Sequence, residues 1–228
     1  VQSLLNTEIG IRLSNDMALG ETDFELMGMS GNNVKILLDG IPLIDRGATK
    51  QSLSQLDVNS IERVEIVEGP MSVVYGTDAL AGVINIITKK GDGYSEENTW
   101  RVGARVQEES MGKEYDFFKD KGLHNESIDL GFNHKSGLFV NGGYTRNNHG
   151  GWQGDLTGRE KRWHPKDQAL MNGMFGFQNR NMNVWYRLDF LDEKIFGPNN
   201  GSELQPEKVS DKDFLTKRYT HQLQSDWK

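Results

Sequence analysis

The sequence predicts a small α/β domain followed by antiparallel strands of an incomplete transmembrane β-barrel. Short apolar runs rich in β-branched residues occur only early in the chain, and apolar and polar residues alternate strictly later on. All five tryptophans, and every other aromatic residue except Phe24 and Tyr75, lie beyond residue 92. We therefore place a domain boundary in the charged, glycine-containing segment 89–93, with one domain at 1–92 and the first about six barrel strands at 93–228.

The first domain contains three predicted strands, at 34–40, 61–67 and 82–88. Their apolar, β-branched character predicts that all three are buried. Leu53 and Leu56 have near-helical spacing, and Pro70 suits the first turn of a short helix. These segments predict short helices between the strands.

The second domain shows a two-residue period in which apolar residues share one face of each strand. Six strands follow from it. Their predicted apolar faces are 100/102/104/106, 128/130/132, 138/140/142/144, 169/171/173/175/177, 182/184/186/188/190 and 219/221/223/225/227.

Short and long connections alternate between these strands. The turns at 134–137 and 178–181 are tight, whereas 108–123, 148–166 and 193–216 are long polar loops. Outer-membrane barrels pair short periplasmic turns with longer extracellular loops, so the long loops are expected outside the cell. A soluble sandwich or lipocalin-like barrel can show the same alternating strands and uneven loop lengths, so the strands alone leave that alternative open.

Composition excludes some classes of function. The 26 basic residues against 33 acidic ones give a net charge of −7, which argues against a nucleic-acid partner. The absence of cysteine excludes disulfides and thiolate metal sites. No apolar run reaches the roughly 20 residues of a membrane helix, so any membrane crossing is expected to use strands.

Residues 24–90 resemble the plug domain of TonB-dependent outer-membrane transporters. The resemblance rests on VKILLDGIP (34–42), IERVEIVEGP (61–70), Tyr75-Gly76, Ala79 to Gly82 and VINIITK (83–89), in the family's order and near its spacing. The motif positions, which we interpret as structural, are Gly28, Asp39, Gly40, Pro42, Glu68, Gly69, Pro70, Tyr75, Gly76 and Gly82. The chain departs from the family where many members carry a locking arginine, because Met27 and Glu68 stand at those positions.

The resemblance implies energised import across the outer membrane of a Gram-negative bacterium. It implies a substrate such as an iron–siderophore chelate, haem or cobalamin, outer-membrane lipid around the barrel, and the inner-membrane TonB complex acting through a segment preceding Val1. Alternatives are a receptor acting mainly in signalling or adhesion, oligosaccharide or peptide uptake, and a soluble α/β domain joined to a β-sandwich. We expect no enzyme activity, no catalytic residue, no cofactor and no metal centre.

Candidate substrate contacts lie in two apical plug loops, 14–22 and 44–51, and in the second long loop. The plug candidates are Asn15, Asp16, Asp45, Arg46 and Thr49. Trp152, Arg162 and Trp163 could grip a planar ligand or serve as loop aromatics above the barrel's aromatic girdle. The five histidines form no ligand pattern in the sequence, and we expect them to be solvated.

Overall fold

The computed structural model describes residues 11–16, 21–30, 33–43, 55–70, 75, 79–90, 97–198 and 210–227. The chain forms two compact units, Val1–Lys89 and Lys90–Lys228. The predicted boundary after residue 92 stays a prediction, because residues 91–96 lie outside the described residues.

The first unit begins with a three-stranded antiparallel sheet. Its strands are β1 (Ile11–Asp16), β2 (Glu21–Leu26) and β3 (Met29–Ser30), in the order β1-β2-β3. β1 and β2 pair from Ile11 opposite Leu26 to Asp16 opposite Glu21. The predicted loop 14–22 was too long, because 14–16 and 21–22 belong to the paired strands.

A four-stranded mixed sheet forms the rest of this unit. Its strands are β4 (Val34–Leu38), β5 (Ile41–Pro42), β6 (Ile61–Glu68) and β7 (Gly82–Thr88), in the order β5-β4-β7-β6. β4 and β7 are parallel and central, and their residues Val34, Ile36, Ile84 and Ile86 are at most 2% exposed. Their apolar runs therefore form the core, as predicted for fully buried parallel strands.

The prediction of a strand from Ile61 to Val67 is confirmed, but the prediction that this strand is buried was wrong. β6 lies at the edge of the sheet and pairs with β7 alone, so Val67 is 40% exposed. A β-branched run does not distinguish an edge strand from a central one when charged residues such as Arg63 and Glu65 alternate with it.

Helical structure is slight in the described parts of the first unit. A 3₁₀ helix spans Val58–Ser60, and the side chain of Asp57 caps it by accepting the Asn59 amide at 3.0 Å. Leu56, just before it, packs into the core. The predicted helix at 71–74 lies outside the described residues, and no helix in the described ranges is long and apolar enough to cross a membrane.

The second unit is one antiparallel sheet of six sequentially adjacent strands. They are β8 (Thr99–Glu109), β9 (Leu123–Asn133), β10 (Leu138–His149), β11 (Lys166–Gln178), β12 (Met182–Gly197) and β13 (Lys212–Trp227). The order is β13-β12-β11-β10-β9-β8, so β8 and β13 form the two edges and the sheet is open. This is the predicted fold of an unclosed barrel wall.

The strand register places the predicted apolar residues on one common face. Trp100 lies opposite Phe132, which lies opposite Val140, and Val140 lies opposite Phe175. Cross-strand partners share a face, so the apolar surface is continuous across the six strands. We call it the outward face, and its apolar part ends at Val106 on β8 and at Tyr144 on β10.

The strands run further than the sequence predicted, and the loops are correspondingly shorter. The tight turn at 134–137 is confirmed, whereas the long connections are 110–122 (loop 1), 150–165 (loop 2) and 198–211 (loop 3). The largest change is in β12 and β13, which continue beyond the apolar residues. There the ion pairs Lys194–Asp213 at 2.9 Å and Lys217–Asp192 at 3.4 Å join them, and alternating charge hid this extension in the sequence.

Candidate functional site in the plug turns and the long loops

Two tight hairpins carry the glycine motifs of the first unit. Leu26 pairs with Met29 and Leu38 pairs with Ile41, so Met27-Gly28 and Asp39-Gly40 are two-residue turns. All four turn residues have positive φ, at 53° and 77° in the first and 50° and 84° in the second. This is the type I′ geometry, in which glycine suits the second position and aspartate, asparagine or glycine suits the first, so Asp39 fits its turn and Met27 is strained.

Asp39 ties its turn to the far end of β7. Its carboxylate accepts the Thr88 amide at 3.0 Å and the Thr88 hydroxyl at 2.6 Å, and its own amide donates to the Ile86 carbonyl at 2.9 Å. The Gly40 amide also donates to the Asn85 side chain at 3.0 Å. The Asp-Gly pair is therefore a structural clamp, and we call this set of contacts the Asp39–Thr88 clamp.

The other motif positions have packing roles where they are described. Gly82 has φ +151°, and a Cβ there would meet the Val67 carbonyl oxygen at 2.3 Å and a Leu26 methyl at 2.7 Å. Tyr75 packs on the buried cluster of Leu37, Ala79 and Val83. Gly69 has φ +101°, and its amide donates to the Ala81 carbonyl. The side chains of Pro42 and Pro70 are exposed, and Gly76 lies outside the described residues.

The two positions that depart from the family's locking arginine are on the surface. Met27 is 58% exposed, and Glu68 is exposed at the end of the edge strand β6. Within the described residues Glu68 is therefore accessible to solvent, and its charge needs no cationic partner there.

The candidate apical residues are only partly described. Asn15 and Asp16 end β1 and face Thr22 and Glu21 across the hairpin. Asp45, Arg46 and Thr49 lie outside the described residues. Their role in binding stays a prediction.

The inward face of the six-stranded sheet combines a small buried apolar cluster, formed by Phe139, Met174 and Trp185, with paired charges. Arg187 is 4% exposed and binds Asp189 through two hydrogen bonds of 2.6 Å. Near the long loops, the fully buried Glu193 accepts from Lys166 at 3.0 Å and from Gln168 at 2.7 Å. Burial of these groups is tolerated because each charge has a partner of opposite sign.

Loop 2 is closed at its base by an antiparallel bridge between Trp152 and Trp163. Each backbone amide donates to the other residue's carbonyl, at 2.8 and 3.1 Å. The Trp163 ring lies 4.0 Å from the His149 ring, and Arg162 pairs with Asp155 at 2.6 Å on the exposed tip. These contacts give all three candidate residues a structural role in the loop, and their contact with substrate stays untested.

The expectation that all the histidines are solvated was wrong for two of them. His124 is 5% exposed and His149 is 6% exposed. His149 ends β10 on the inward side, beside loop 2, and burial lowers its pKa to about 4, which keeps the ring neutral at physiological pH. No group of three or more histidine, aspartate or glutamate side chains in the described ranges is arranged to hold a metal ion.

Sequence reasoning missed Glu108, which organises loop 1. Its Oε2 atom lies 2.6 Å from His124 Nδ1 and accepts from the Tyr115 hydroxyl at 3.2 Å and the Phe118 amide at 3.4 Å. Partial burial raises the pKa of Glu108, but the hydrogen bonds from His124 and Phe118 outweigh this effect and lower it overall. Because Glu108 stands opposite His124 only after β8 and β9 pair, no local pattern signals the contact.

The comparisons with known proteins agree with this architecture. Residues 1–83 match the family model of the TonB-dependent receptor plug domain. The first part of the chain is therefore similar to the plug domain of TonB-dependent receptors. The proteins to which it is similar are receptors of the Gram-negative outer membrane and not enzymes, which supports both sequence-based expectations.

Two curated relatives illustrate the similarity. The ferrienterobactin receptor of Escherichia coli K12 is 33% identical over 107 residues, which is 41% of this chain and 14% of the relative. The iron-regulated outer membrane virulence protein of Vibrio cholerae is 40% identical over 80 residues, 30% of this chain and 12% of the relative. The matched segments therefore span about an eighth of these relatives' length.

Solved structures share the fold of this chain over most of its length. A variant of the ferric enterobactin receptor of Pseudomonas aeruginosa matches with a TM-score of 0.68 and 16% identity, covering 99% of this chain and 35% of that one. A copper transporter matches with a TM-score of 0.66 and 14% identity, covering 95% and 31%. At these identities the likeness concerns the fold alone.

Proposed function

We propose that the receptor imports an iron–siderophore chelate across the outer membrane. The observation that carries the proposal is the similarity to relatives named for ferrienterobactin and for regulation by iron, at 33% and 40% identity. Haem and cobalamin, which the sequence left open, have no such support among these relatives.

In the proposed mechanism residues 1–92 form the plug and residues 93–228 form the first strands of the barrel around it. The chelate binds at the extracellular side, TonB pulls on the amino-terminal part of the plug, and the plug rearranges to open a path. The outward face supports this role, because its large exposed apolar side chains are favourable in contact with lipid and unfavourable in contact with water.

The buried polar contacts suit a plug that must refold after each transport cycle. The Asp39–Thr88 clamp joins residues that are 49 positions apart, and it favours the observed register of β4 against β7. A buried polar network of this kind favours a single arrangement because any other leaves the carboxylate unpaired.

Uptake of radioactive iron tests the proposal with the full-length gene in a Gram-negative host that lacks its own siderophore receptors. We expect iron delivered as a catecholate siderophore chelate to enter only when both the receptor and TonB are present. A receptor that binds the chelate and alters transcription without uptake would instead identify the signalling alternative.

Substrate contact by the plug is tested by replacing Asp45, Arg46 and Thr49 together with alanine. We expect weaker chelate binding at an unchanged amount of folded receptor. The double variant Asn15→Ala/Asp16→Ala tests the other apical loop in the same way. Unchanged affinity in both variants would remove the plug loops from the binding site.

A further inference from the structure

Loops 1 and 2 are joined at their bases. The Gly150 amide donates to the Gly122 carbonyl at 3.0 Å, and a Cβ at Gly150 would overlap the carbonyl oxygen of Asp120. Glycine at position 150 therefore lets the end of loop 1 pack directly against the start of loop 2.

A second contact between the two loops runs through the side chain of Glu114. Backbone hydrogen bonds of 3.1 and 2.9 Å pair Met111 with Glu114 and close a tight turn in loop 1. From this turn, Oε1 of Glu114 accepts the Gln153 amide of loop 2 at 3.3 Å. The bond is charge-assisted and partly buried, so competition from water is limited.

Gln153 follows Trp152, so this bond fixes the backbone next to the Trp152–Trp163 bridge. The Trp152 ring is also bordered by a glycine from each loop. A Cβ at Gly112 of loop 1 would lie 3.7 Å from Trp152 Nε1, and one at Gly154 of loop 2 would lie 3.2 Å from Cζ2 of the same ring. The orientation of Trp152 therefore depends on loop 1 as well as on its own loop.

Loop 1 can support its neighbour because the sheet holds it in place. Glu108, on β8, accepts from the Tyr115 hydroxyl and from the Phe118 amide, and Tyr115 directly follows Glu114. A continuous path of contacts thus runs from Glu108 through Tyr115 and Glu114 to Gln153. Two carboxylates act in series along this path, one on the strand and one in the loop.

We propose that Glu114 is a positioning residue for ligand binding, which holds the Trp152 ring in the orientation that contacts the chelate. The proposal rests on the proposed function and on the half-buried state of Trp152 and Trp163, which leaves part of each ring accessible. Flat indole faces suit the aromatic rings of a catecholate ligand, and a ring that is already held loses less freedom on binding. The ion pair Arg162–Asp155 within loop 2 is exposed and contributes little to this order, because water and salt screen it.

A fluorotryptophan incorporated at position 152 of the full-length receptor tests the proposal, because its fluorine NMR signal reports the surroundings of that ring. We expect Glu114→Ala to broaden or split the signal and to move it towards that of a solvent-exposed indole. The same variant should bind a ferric catecholate chelate about fivefold to tenfold more weakly, which is the usual effect of losing one hydrogen bond. Glu114→Gln keeps an acceptor oxygen for the Gln153 amide and should restore both properties. The control is Lys113→Ala, which truncates an exposed side chain of the same turn.

The outcomes separate positioning from a general disturbance of the loops. An unchanged fluorine signal in Glu114→Ala overturns the proposal, and so does an equal change in Lys113→Ala. Because Glu114 acts through Trp152, the double variant Glu114→Ala/Trp152→Ala should bind the chelate no more weakly than Trp152→Ala does, and additive losses would overturn the proposal as well. A wild-type receptor that does not bind the chelate refutes the proposed function, and the fluorine comparison then decides the positioning role by itself.

Discussion

The two units of the chain place their apolar side chains in opposite ways. In the plug, Ile84 and Ile86 are fully buried, whereas in the sheet Trp100 is 76% exposed and Leu223 is 72% exposed. The other face of the sheet buries charged groups such as Glu193 and Arg187 together with a few apolar side chains such as Trp185. Because apolar burial is the main driving force for folding in water, the plug is built for an aqueous setting and the outward face of the sheet for lipid.

Gly82→Val is expected to have the largest effect, because it places a branched side chain in the most crowded part of the plug. Overlap with the Val67 carbonyl and the positive φ should together lower the free energy of unfolding by about 4 kcal/mol or more. Urea unfolding of the full receptor, followed by protease sensitivity of the plug, measures the change.

Gly173→Ala is the matched control in the sheet. No atom lies within 4 Å of a Cβ built at Gly173, and its φ is not in the positive range. We expect stability within about 0.5 kcal/mol of the wild type. A loss comparable to that of the plug variant would contradict the difference in packing between the two units.

Leu130→Arg tests whether the outward face of the sheet contacts lipid or water. Leu130 is 51% exposed and lies between Val102 and Gly142 across the strands. A guanidinium near the middle of a bilayer costs about 2–4 kcal/mol, whereas at an exposed site in water it costs almost nothing. Reversible folding into liposomes measures the penalty.

Ser127→Arg on the inward face of the same strand is the control. It faces Arg105 and Thr145 across the neighbouring strands and should cost less than Leu130→Arg. Equal costs for the two variants would argue against a lipid-facing surface.

The same contrast explains how far the sequence could predict the structure. Alternation identified the outward face of every strand, including Trp100, Leu130 and Phe175, because period two is a local property. The buried pair Lys166–Glu193 and the bond between Asp39 and Thr88 were not predicted, since each joins residues that approach only after distant strands pair. Loop 1 escaped prediction for the same reason, because its anchor Glu108 belongs to a strand.

Asp39→Asn tests the Asp39–Thr88 clamp of the plug. Asparagine tolerates positive φ as well as aspartate, so the substitution removes the charge and one of the two oxygens that accept from Thr88, without new backbone strain. We expect a loss of about 1–2 kcal/mol in the free energy of unfolding, in the range for hydrogen bonds to a charged group.

Thr88→Val removes only the hydroxyl that donates to Asp39. We therefore expect it to lower the free energy of unfolding by less than the double variant Asp39→Asn/Thr88→Val does. Thr88→Ser keeps the hydroxyl and serves as its control. Additive losses for Asp39→Asn and Thr88→Val in a double-mutant cycle would show that the two residues do not act together.

Met27→Asn is expected to change the free energy of unfolding least among these variants, and it is the one variant for which we expect an increase. Met27 and Asp39 occupy equivalent positions in the two turns, with φ of 53° and 50°, but only Asp39 is a residue type that adopts this conformation readily. Met27 is 58% exposed, so its replacement gives up little packing, and relief of the backbone strain should stabilise the plug by about 0.5–1 kcal/mol. The measurement is the midpoint of urea unfolding, with Met29→Asn in the adjacent strand β3 as the control for polarity alone. Equal shifts in the two variants would mean that side-chain polarity, and not turn geometry, accounts for the change.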